Sequence, residues 1–305
     1  MTTQQSVNTT AQQASQYIDL HYVSVGYLNR IRQVSPKKSK PFFAAEFVSN
    51  TNGTNRRFKV DTKGVNEEVS TVLKDLLDLP ADNSRVITAA VRAGDFYKDS
   101  FTIKDGNNAG QIRHINKGRL LKLIWVKVND VLVYGEDKEV TEQLSGIGYT
   151  DGIRYVTPIG GRTFCAMNIT AFSGEKSAKP SERSYFPLTT TFSDGDEELK
   201  QAISALEKLP KPKEGEKQTI TVGFRATGLV PDTYQVKKGE HKGETRDTTK
   251  AKLTMINFVS VNGEVIFKRQ SDAAQPAQAE QSGEVGASVE AQAEAVEPAN
   301  WELVD

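Results

Sequence analysis

The sequence predicts a mainly β protein built from two tandem copies of a small barrel, with one helix in each copy and a disordered acidic tail. Three observations predict it: an internal repeat, the same order of strand and helix patterns in each copy, and an abrupt change of composition at Ser271. The expected boundaries are 1–16 for a disordered arm, 17–138 and 139–270 for the two copies, and 271–305 for the tail.

The repeat is visible in two separate alignments. Residues 25–36 (VGYLNRIRQVSP) match residues 147–158 (IGYTDGIRYVTP) without a gap, and residues 86–134 match 219–267 at one constant offset. A register held over that length indicates a duplicated domain rather than chance similarity.

Three strand patterns open each copy. They are expected at 22–34, 42–48 and 57–60 in the first copy and at 146–156, 164–172 and 185–188 in the second. The period then becomes helical, because Val69, Val72, Leu73, Leu76 and Leu77 share one helical face. Asn66 suits the N-cap of that helix, and the same apolar spacing recurs from Leu199 to Leu206.

Alternation of apolar and polar residues returns at 87–93 and 220–226, and a final hairpin turns at Asn129-Asp130 and at Asn262-Gly263. Three strands, a helix and two or three further strands are the element order of an OB-fold, in which the helix lies between the third and fourth strands. We therefore predict tandem OB-fold-like barrels. Another α+β sandwich with the same element order is the alternative.

Charge is distributed unevenly along the chain. Lys plus Arg and Asp plus Glu both total 39, but residues 271–305 contain eight acidic and no basic residues. The preceding residues therefore have 39 basic against 31 acidic side chains. A basic body with an acidic tail indicates nucleic acid or another polyanion as the partner.

The single cysteine, Cys165, excludes an internal disulfide framework. The N-terminus has no signal-peptide pattern, and no apolar run approaches the roughly 20 residues needed to span a bilayer. We expect a cytoplasmic protein without membrane contact.

Two segments resemble a known family. HYVSVGYLNRIRQVSPKKSKPFFAAEF and GRLLKLIWVKVNDVLVY are similar to the opening and closing segments of a bacterial family of replication proteins of integrating conjugative elements, a domain of unknown function. Typical members have one copy and an Ala/Pro/Glu-rich tail, whereas this chain has a second, more diverged copy. The resemblance implies replication of a mobile element or plasmid, without a reaction or binding residues. The layout is also similar to single-stranded DNA-binding proteins with OB domains and an acidic tip.

Motifs for catalysis are missing from the sequence. It has no phosphate-binding loop, no H-E-x-x-H and no paired-cysteine motif, and its three histidines do not repeat between the copies. We expect no enzyme, no metal site and no cofactor. An enzyme acting on nucleic acid would also need a cluster of acidic residues to bind metal ions, and the sequence has no repeated or clustered set of this kind.

Basic residues are the better candidates, because a single strand needs cations along its backbone. Arg92 and Arg225 are expected on the outward side of the alternating strand, and the repeated cations of 104–119 and 237–252 in a loop before the last hairpin. Solvated surface charge is the alternative for each. The first-copy candidates are Arg30, Arg32, Lys37, Lys38, Lys40, Arg57, Arg92, Lys104, Arg113, Lys117 and Arg119. The second-copy candidates are Arg154, Arg225, Lys237, Lys238, Lys242, Arg246, Lys250 and Lys252. The first copy is more basic at its first turn, so we expect it to bind more tightly.

Aromatic side chains can stack on unpaired bases. Tyr97, Trp125 and Tyr234 are candidates for this role, with core packing an equal alternative for Trp125. Tyr27 and Tyr149 share the apparent inward register of their strands, so we assign them to the core.

The chain ends in an apolar group within the acidic tail: Trp301, Leu303, Val304 and the terminal Asp305. Such a group has no core to join, so it is expected to dock into a replication or recombination protein, with a solubility tail as the alternative. The combined prediction is a protein that coats single-stranded DNA of a mobile element or phage. DNA versus RNA stays open. A non-enzymatic scaffold module of a conjugation or phage machine is the competing hypothesis.

Overall fold

The computed structural model describes residues 20–50, 57–107, 109–157, 160–174, 184–192, 197–210, 212, 217–235 and 242–270, with the side chain of Arg113 excluded. The predicted arm at 1–16 and the predicted tail at 271–305 lie outside the described residues.

Twelve strands and two helices make up the described chain, and the two halves have the same element order. The first half contains β1 (His21–Val34), β2 (Phe42–Ser49), β3 (Lys59–Gly64), α1 (Glu67–Leu77), β4 (Ile87–Thr102), β5 (Ile112–Val128) and β6 (Val131–Gly135). The second half contains β7 (Gln143–Val156), β8 (Phe164–Ser173), β9 (Ser184–Phe192), α2 (Glu197–Glu207), β10 (Ile220–Gln235), β11 (Thr245–Val261) and β12 (Glu264–Lys268).

Each half closes into a five-stranded barrel. The first has the order β1-β2-β3-β5-β4, with β4 pairing back to β1, and the second has the order β7-β8-β9-β11-β10, with β10 pairing back to β7. β6 and β12 extend the barrels by pairing with β5 and β11. The predicted fold class, two tandem OB-fold-like barrels with one helix each, is confirmed. No helix among the described residues is long and apolar enough to cross a lipid bilayer.

Helix α1 lies between the third and fourth strands, as predicted. The side chain of Asn66 accepts a hydrogen bond from the backbone N–H of Val69 at 2.8 Å, which caps the helix. Most of the apolar face predicted from the spacing packs into the barrel, where Val69, Leu73 and Leu76 are buried. Leu77, which was assigned to the same face, is 40% exposed because it lies at the end of the helix.

The fourth and fifth strands are longer than the alternation predicts. β4 continues to Thr102 and β5 begins at Ile112, so the two strands form an extended hairpin, which we call the first arm (95–119). β10 and β11 form the equivalent second arm (228–252). Register shifts at three places in β4 interrupt the two-residue period. The sequence pattern therefore predicted a loop where the distal part of the strand lies.

A bulge in β1 reverses one of the predicted orientations. Arg30 has a left-handed backbone (φ 50°) and the register with β2 shifts between Asn29 and Arg32. Before this bulge, Leu28 faces the core and Tyr27 faces outward, whereas the prediction assumed one continuous register. The assignment of Tyr27 to the core is therefore wrong, and so is that of Tyr149, which is 39% exposed.

The two barrels share one core. Antiparallel pairing of β1 with β7 joins them, and the ring of Phe186 packs against those of Phe58 (6.1 Å) and Phe96 (5.6 Å) from the first barrel. Between the barrels, Glu142 accepts hydrogen bonds from the hydroxyl of Tyr22 and the backbone N–H of Gly228. Burial, with the nearby charge of Glu142, strongly raises the pKa of Tyr22. The barrels therefore form one packed body rather than two units on a linker.

Candidate nucleic-acid interface

The outward side chains of β1, β2, β3 and the adjoining part of β5 form a surface that we call the first-barrel face. Alternation in β3 and the residue before it buries Phe58, Val60 and Thr62, so Lys59 and Lys63 point to solvent. β3 pairs with β2 on one side and runs parallel to β5 on the other. The outward residues of four strands therefore form one surface.

Two aromatic rings on the first-barrel face lie beside cations. The guanidinium carbon of Arg57 lies 5.3 Å from the centre of the Tyr27 ring, and Nζ of Lys63 lies 4.6 Å from the centre of the Phe42 ring. A ring for base stacking and a cation for phosphate are the two groups that single-strand binding requires. Sequence reasoning found Arg57 but missed Tyr27, Phe42 and Lys63.

A row of alternating charges crosses the same surface. The guanidinium of Arg32 donates two hydrogen bonds to Asp61, at 2.7 and 2.8 Å. Asp61 lies opposite Lys117 on the neighbouring strand, and Nζ of Lys117 is 2.5 Å from Asp99. The hydrogen bond lowers the pKa of Asp99 and raises that of Lys117. Arg32 and Lys117, two of the predicted binding residues, thus lie on the first-barrel face, and each is paired with a carboxylate.

The loop joining β1 to β2 carries three further candidates. Lys37, Lys38 and Lys40 are exposed, and none has an ion pair with a described residue. Val34 and Phe42, the residues on either side of this loop, pair with each other. The lysine loop (35–41) therefore borders the first-barrel face. Arg30 is exposed nearby, 3.9 Å from Glu46.

The predicted loop cations lie mostly on the arms. Arg113, Lys117, Arg119, Arg246, Lys250 and Lys252 are strand residues, which corrects the prediction that they belong to one loop. Lys104 and Lys242 lie in the turns and are exposed. Lys237 and Lys238 lie outside the described residues, as do Trp301, Leu303, Val304 and Asp305.

Ion pairs within the arms explain why some of the cations recur at equivalent positions in the two copies. Lys250 lies 2.7 Å from Asp232, which reproduces the pair of Lys117 with Asp99 at equivalent positions. Arg119 is 3.0 Å from the carboxylate of Asp95, a buried residue. These cations therefore have carboxylate partners within the arms whether or not they contact a ligand.

Each arm also presents an aromatic residue opposite an arginine. Phe101 is 45% exposed and pairs with Arg113 in the backbone register, and Tyr234 pairs with Arg246 at the equivalent position. Burial raises the pKa of Tyr234 to about 12, against the opposing effect of Arg246. Tyr97, a predicted stacking residue, is exposed on the first arm. Phe101 was missed, although its alignment with Tyr234 in the repeat could have identified it.

The arms touch each other. Nζ of Lys98 donates a 2.6 Å hydrogen bond to the backbone carbonyl of Asp247, and a cleft of about 360 Å³ lies between the arms. Burial lowers the pKa of Lys98, which the charge of Asp247 partly opposes.

Three predicted residues lie elsewhere. Trp125 is 7% exposed and its indole N–H donates to the carbonyl of Lys138 at 3.0 Å, so its ring is not accessible to a base. Arg92 and Arg225 are half-buried on β4 and β10, next to the first residues of β1 and β7 rather than on the first-barrel face.

The equivalent surface of the second barrel is more aromatic. Tyr149 packs edge-on against Phe172 with ring centres 4.5 Å apart, and Phe172 against Tyr185 at 6.3 Å. Arg154 donates a 2.5 Å hydrogen bond to Asn168, and Lys252 lies opposite Thr191 on this surface. Among the described residues, no group of three His, Cys, Asp or Glu side chains could hold a metal ion.

A family model described as "Protein of unknown function (DUF3577)" matches residues 10–142 and again residues 136–275. The chain belongs to this family. It thus contains two DUF3577 domains, in agreement with the internal repeat. No curated protein sequence matches this DUF3577 chain.

Among solved structures, the chain is similar to the wild-type single-stranded DNA binding protein from Thermus aquaticus, with 10% identity and a TM-score of 0.39, over 87% of this chain and 98% of that one. A deletion mutant of the same protein gives 8% identity and a TM-score of 0.41, over 84% and 98%. A Replication Protein A heterotrimer bound to ssDNA gives 13% identity and a TM-score of 0.16, over 67% and 43%.

Proposed function

We propose that this protein binds single-stranded DNA on the first-barrel face and the lysine loop. The observation that carries the proposal is the pairing of an aromatic ring with a cation at two places on that face, Tyr27 with Arg57 and Phe42 with Lys63. Each pair offers a π-surface to an unpaired base and a positive charge to the neighbouring phosphate. In a duplex the bases are stacked on one another, so these rings favour a single strand.

The position of the surface agrees with this function. OB-folds bind oligonucleotides on the face of their second and third strands and through the loops that join the first two and the last two barrel strands. The lysine loop is the first of these loops, and the turn of the first arm, with Lys104, is the second. Exposed cations therefore lie in both of the loops that OB-folds use for binding.

The wider role is supported by the asymmetric charge of the chain and by its resemblance to replication proteins of integrating conjugative elements. We propose that the basic body coats single-stranded DNA during replication or recombination of a mobile element, and that the acidic tail with Trp301 recruits partner proteins. A chain that binds DNA non-catalytically through cations needs neither metal nor cofactor.

Fluorescence anisotropy of a labelled oligothymidine, with oligouridine and duplex DNA as competitors, tests the proposal. Binding should be tight, should weaken with salt and should prefer the single strand. Tyr27→Leu should weaken it roughly five-fold or more, the loss of one stacked base. Tyr134→Leu is the matched control, because the hydroxyl of Tyr134 bonds to Glu68 away from the face. Absence of binding at low salt would refute the proposal.

A protein-binding scaffold is the second candidate. It is favoured by exposed apolar side chains on the strands that extend the barrels: Val131 (65%) and Val133 (54%) on β6, and Val265 (56%) on β12. It would become the first candidate if the anisotropy experiment gave no DNA binding.

A further inference from the structure

One carboxylate of the first-barrel face has no role in the binding described so far. Glu46 on β2 lies opposite Asn29 of β1 on one side and opposite Asp61 of β3 on the other. Residues that pair in this way point to the same side of a sheet, so Glu46 is one of the outward side chains, and it is 25% exposed. Because a carboxylate repels phosphate, Glu46 must meet another part of a bound strand.

Glu46 lies between the two aromatic–cation pairs. Tyr27 pairs with Val48, two residues after Glu46 on β2, and Lys63 pairs with Ala44, two residues before it. Two residues of a strand span about 7 Å. The carboxylate of Glu46 is therefore within reach of the edge of a base that stacks on the ring of either pair.

The carboxylate of Glu46 is open to donors from a ligand. Arg30 lies 3.9 Å away, which is beyond hydrogen-bond distance, and its own side chain is 73% exposed. Within the described part of the chain, no residue donates a hydrogen bond to Glu46. Asp61 differs, because both of its oxygens accept hydrogen bonds from Arg32. A carboxylate can accept about four hydrogen bonds, so Glu46 can take two from a base.

The four bases differ in what they offer to a carboxylate. Guanine has two adjacent donors, its ring N1–H and its amino group, which match the two oxygens of one carboxylate and form charge-assisted hydrogen bonds. Thymine has a single ring N–H between two carbonyl oxygens, which a carboxylate repels. Adenine and cytosine have an amino group next to an acceptor nitrogen. A carboxylate at the edge of a stacked base therefore favours guanine.

The position equivalent to Glu46 in the second barrel is neutral. Asn168 pairs with Thr189 of β9, which lies opposite Lys250, the equivalent of Lys117. Asn168 thus occupies the place of Glu46. Its amide has both an acceptor and donors, so it does not select a base with two donors. At this position the carboxylate belongs to the first barrel alone.

We infer that Glu46 is a specificity-determining residue of the single-strand site and makes that site prefer guanine. Bases stack on the two rings, phosphates contact the neighbouring cations and the lysine loop, and Glu46 accepts the N1–H and amino hydrogen bonds of a guanine. This inference rests on the proposed single-strand binding. Its new content is the base preference and the residue that sets it.

Four labelled DNA strands test the preference by fluorescence anisotropy. One contains thymidine only, and in the others thymidine alternates with deoxyguanosine, deoxyinosine or deoxyadenosine. A length of about 12 nucleotides suits one barrel, because an OB-fold covers roughly 4–16 nucleotides. Inosine lacks only the amino group of guanine, and adenine controls for the stacking of a purine. The native full-length protein should bind the guanine strand roughly five-fold or more tightly than the inosine and adenine strands.

Two variants assign the preference to Glu46. Glu46→Gln keeps the size of the side chain and removes its charge, so the guanine and inosine strands should bind equally well. The thymidine strand should bind at least as tightly as to the native protein, because a charge that repels phosphate is gone. Asp137→Asn is the matched control, since Asp137 pairs with Lys127 at 2.8 Å further along β5, away from the face. This variant should keep the preference for guanine.

Equal binding of the guanine and inosine strands by the native protein would overturn the inference, and this comparison does not depend on the folding of any variant. A guanine preference that survives Glu46→Gln would overturn the role of this residue. Tight binding of all four strands without preference would leave the proposed function intact and remove only the base selection. If the native protein bound none of the strands, the proposed function would fail together with the inference.

Discussion

Replacing Lys37, Lys38 and Lys40 together by Gln should lower both the affinity for single-stranded DNA and its dependence on salt. The three side chains are exposed and no described carboxylate neutralises them, so their full charge is available to phosphates. Each phosphate contact on a single strand contributes roughly 0.7 to the slope of log K against log salt concentration. Three contacts thus predict a slope reduced by about 2. Near 1 M salt, where the electrostatic contribution vanishes, the variant and the native protein should bind equally well. At about 0.15 M salt the variant should therefore bind roughly 50-fold more weakly than the native protein.

The control comes from the corresponding loop of the second barrel, where Arg162 is exposed and most of the charge is missing. Arg162→Gln should change the slope by no more than about 0.7. Both proteins are titrated with labelled oligothymidine over a salt series, with thermal unfolding as a check of the fold. An unchanged slope in the triple variant would refute the assignment of the lysine loop to phosphate binding.

Three further predictions concern stability and reactivity. Arg119→Ala should lower the free energy of unfolding by about 2 kcal/mol in a urea titration, because it removes the ion pair with the carboxylate of the buried residue Asp95; a loss near zero would contradict this. Gly26→Ala should cost about 2–3 kcal/mol, since a Cβ there would lie 2.7 Å from the ring of Phe47, and an unchanged melting temperature would show that the strand adjusts. Burial and a nearby carboxylate raise the pKa of Cys165 to about 11, so its rate of alkylation should keep rising to about pH 11, and a plateau near pH 9 would exclude that environment.

Local patterns were sufficient to predict the repeated architecture. The spacing of Val69, Leu73 and Leu76 places them on one helical face, and Asn66 caps that helix through its own side chain, so both signals are contained in neighbouring residues. Closure of the barrels follows from the element order once an OB-fold is assumed. The fold class could therefore be predicted without tertiary information.

Bulges limited what could be predicted about the surface. The left-handed backbone at Arg30 adds one residue to β1, and this reverses which side of the sheet Tyr27 faces. Asp95, also left-handed (φ 54°), lies at a register shift in the first arm, beyond which the sequence no longer alternates. A polar residue with a positive φ carries no periodic signal, so face assignments made from alternation fail at such positions.

Identity between the two copies proved to be a mixed guide to the binding site. Lys117 and Lys250 are identical because each pairs with an equivalent aspartate across its arm, which is a structural reason. Phe42 and Lys63, which form one of the cation–aromatic pairs, lie outside the two aligned segments, 25–36 and 86–134. Pairs that bridge distant strands leave no local pattern, so contacts of this kind had to come from the structure.

The shared core leads to a last prediction, that the first repeat expressed alone as residues 17–138 forms a homodimer. The family model matches each repeat separately, so one repeat is the unit of the family. Removing the second repeat would expose Phe58 and Phe96, which now pack against Phe186, and would leave the first residues of β1 without their partner strand. The junction pairs residues 21–23 with residues 145–143, and in the repeat residues 143–145 correspond to residues 21–23, so the pairing is symmetric. A second copy of β1 can therefore take the place of β7, with Tyr22 opposite its own counterpart. Sedimentation should give twice the mass of the fragment, and the melting temperature should rise with protein concentration. A folded fragment that stays monomeric at all concentrations would contradict this prediction, because β1 would then not pair with a second copy of itself.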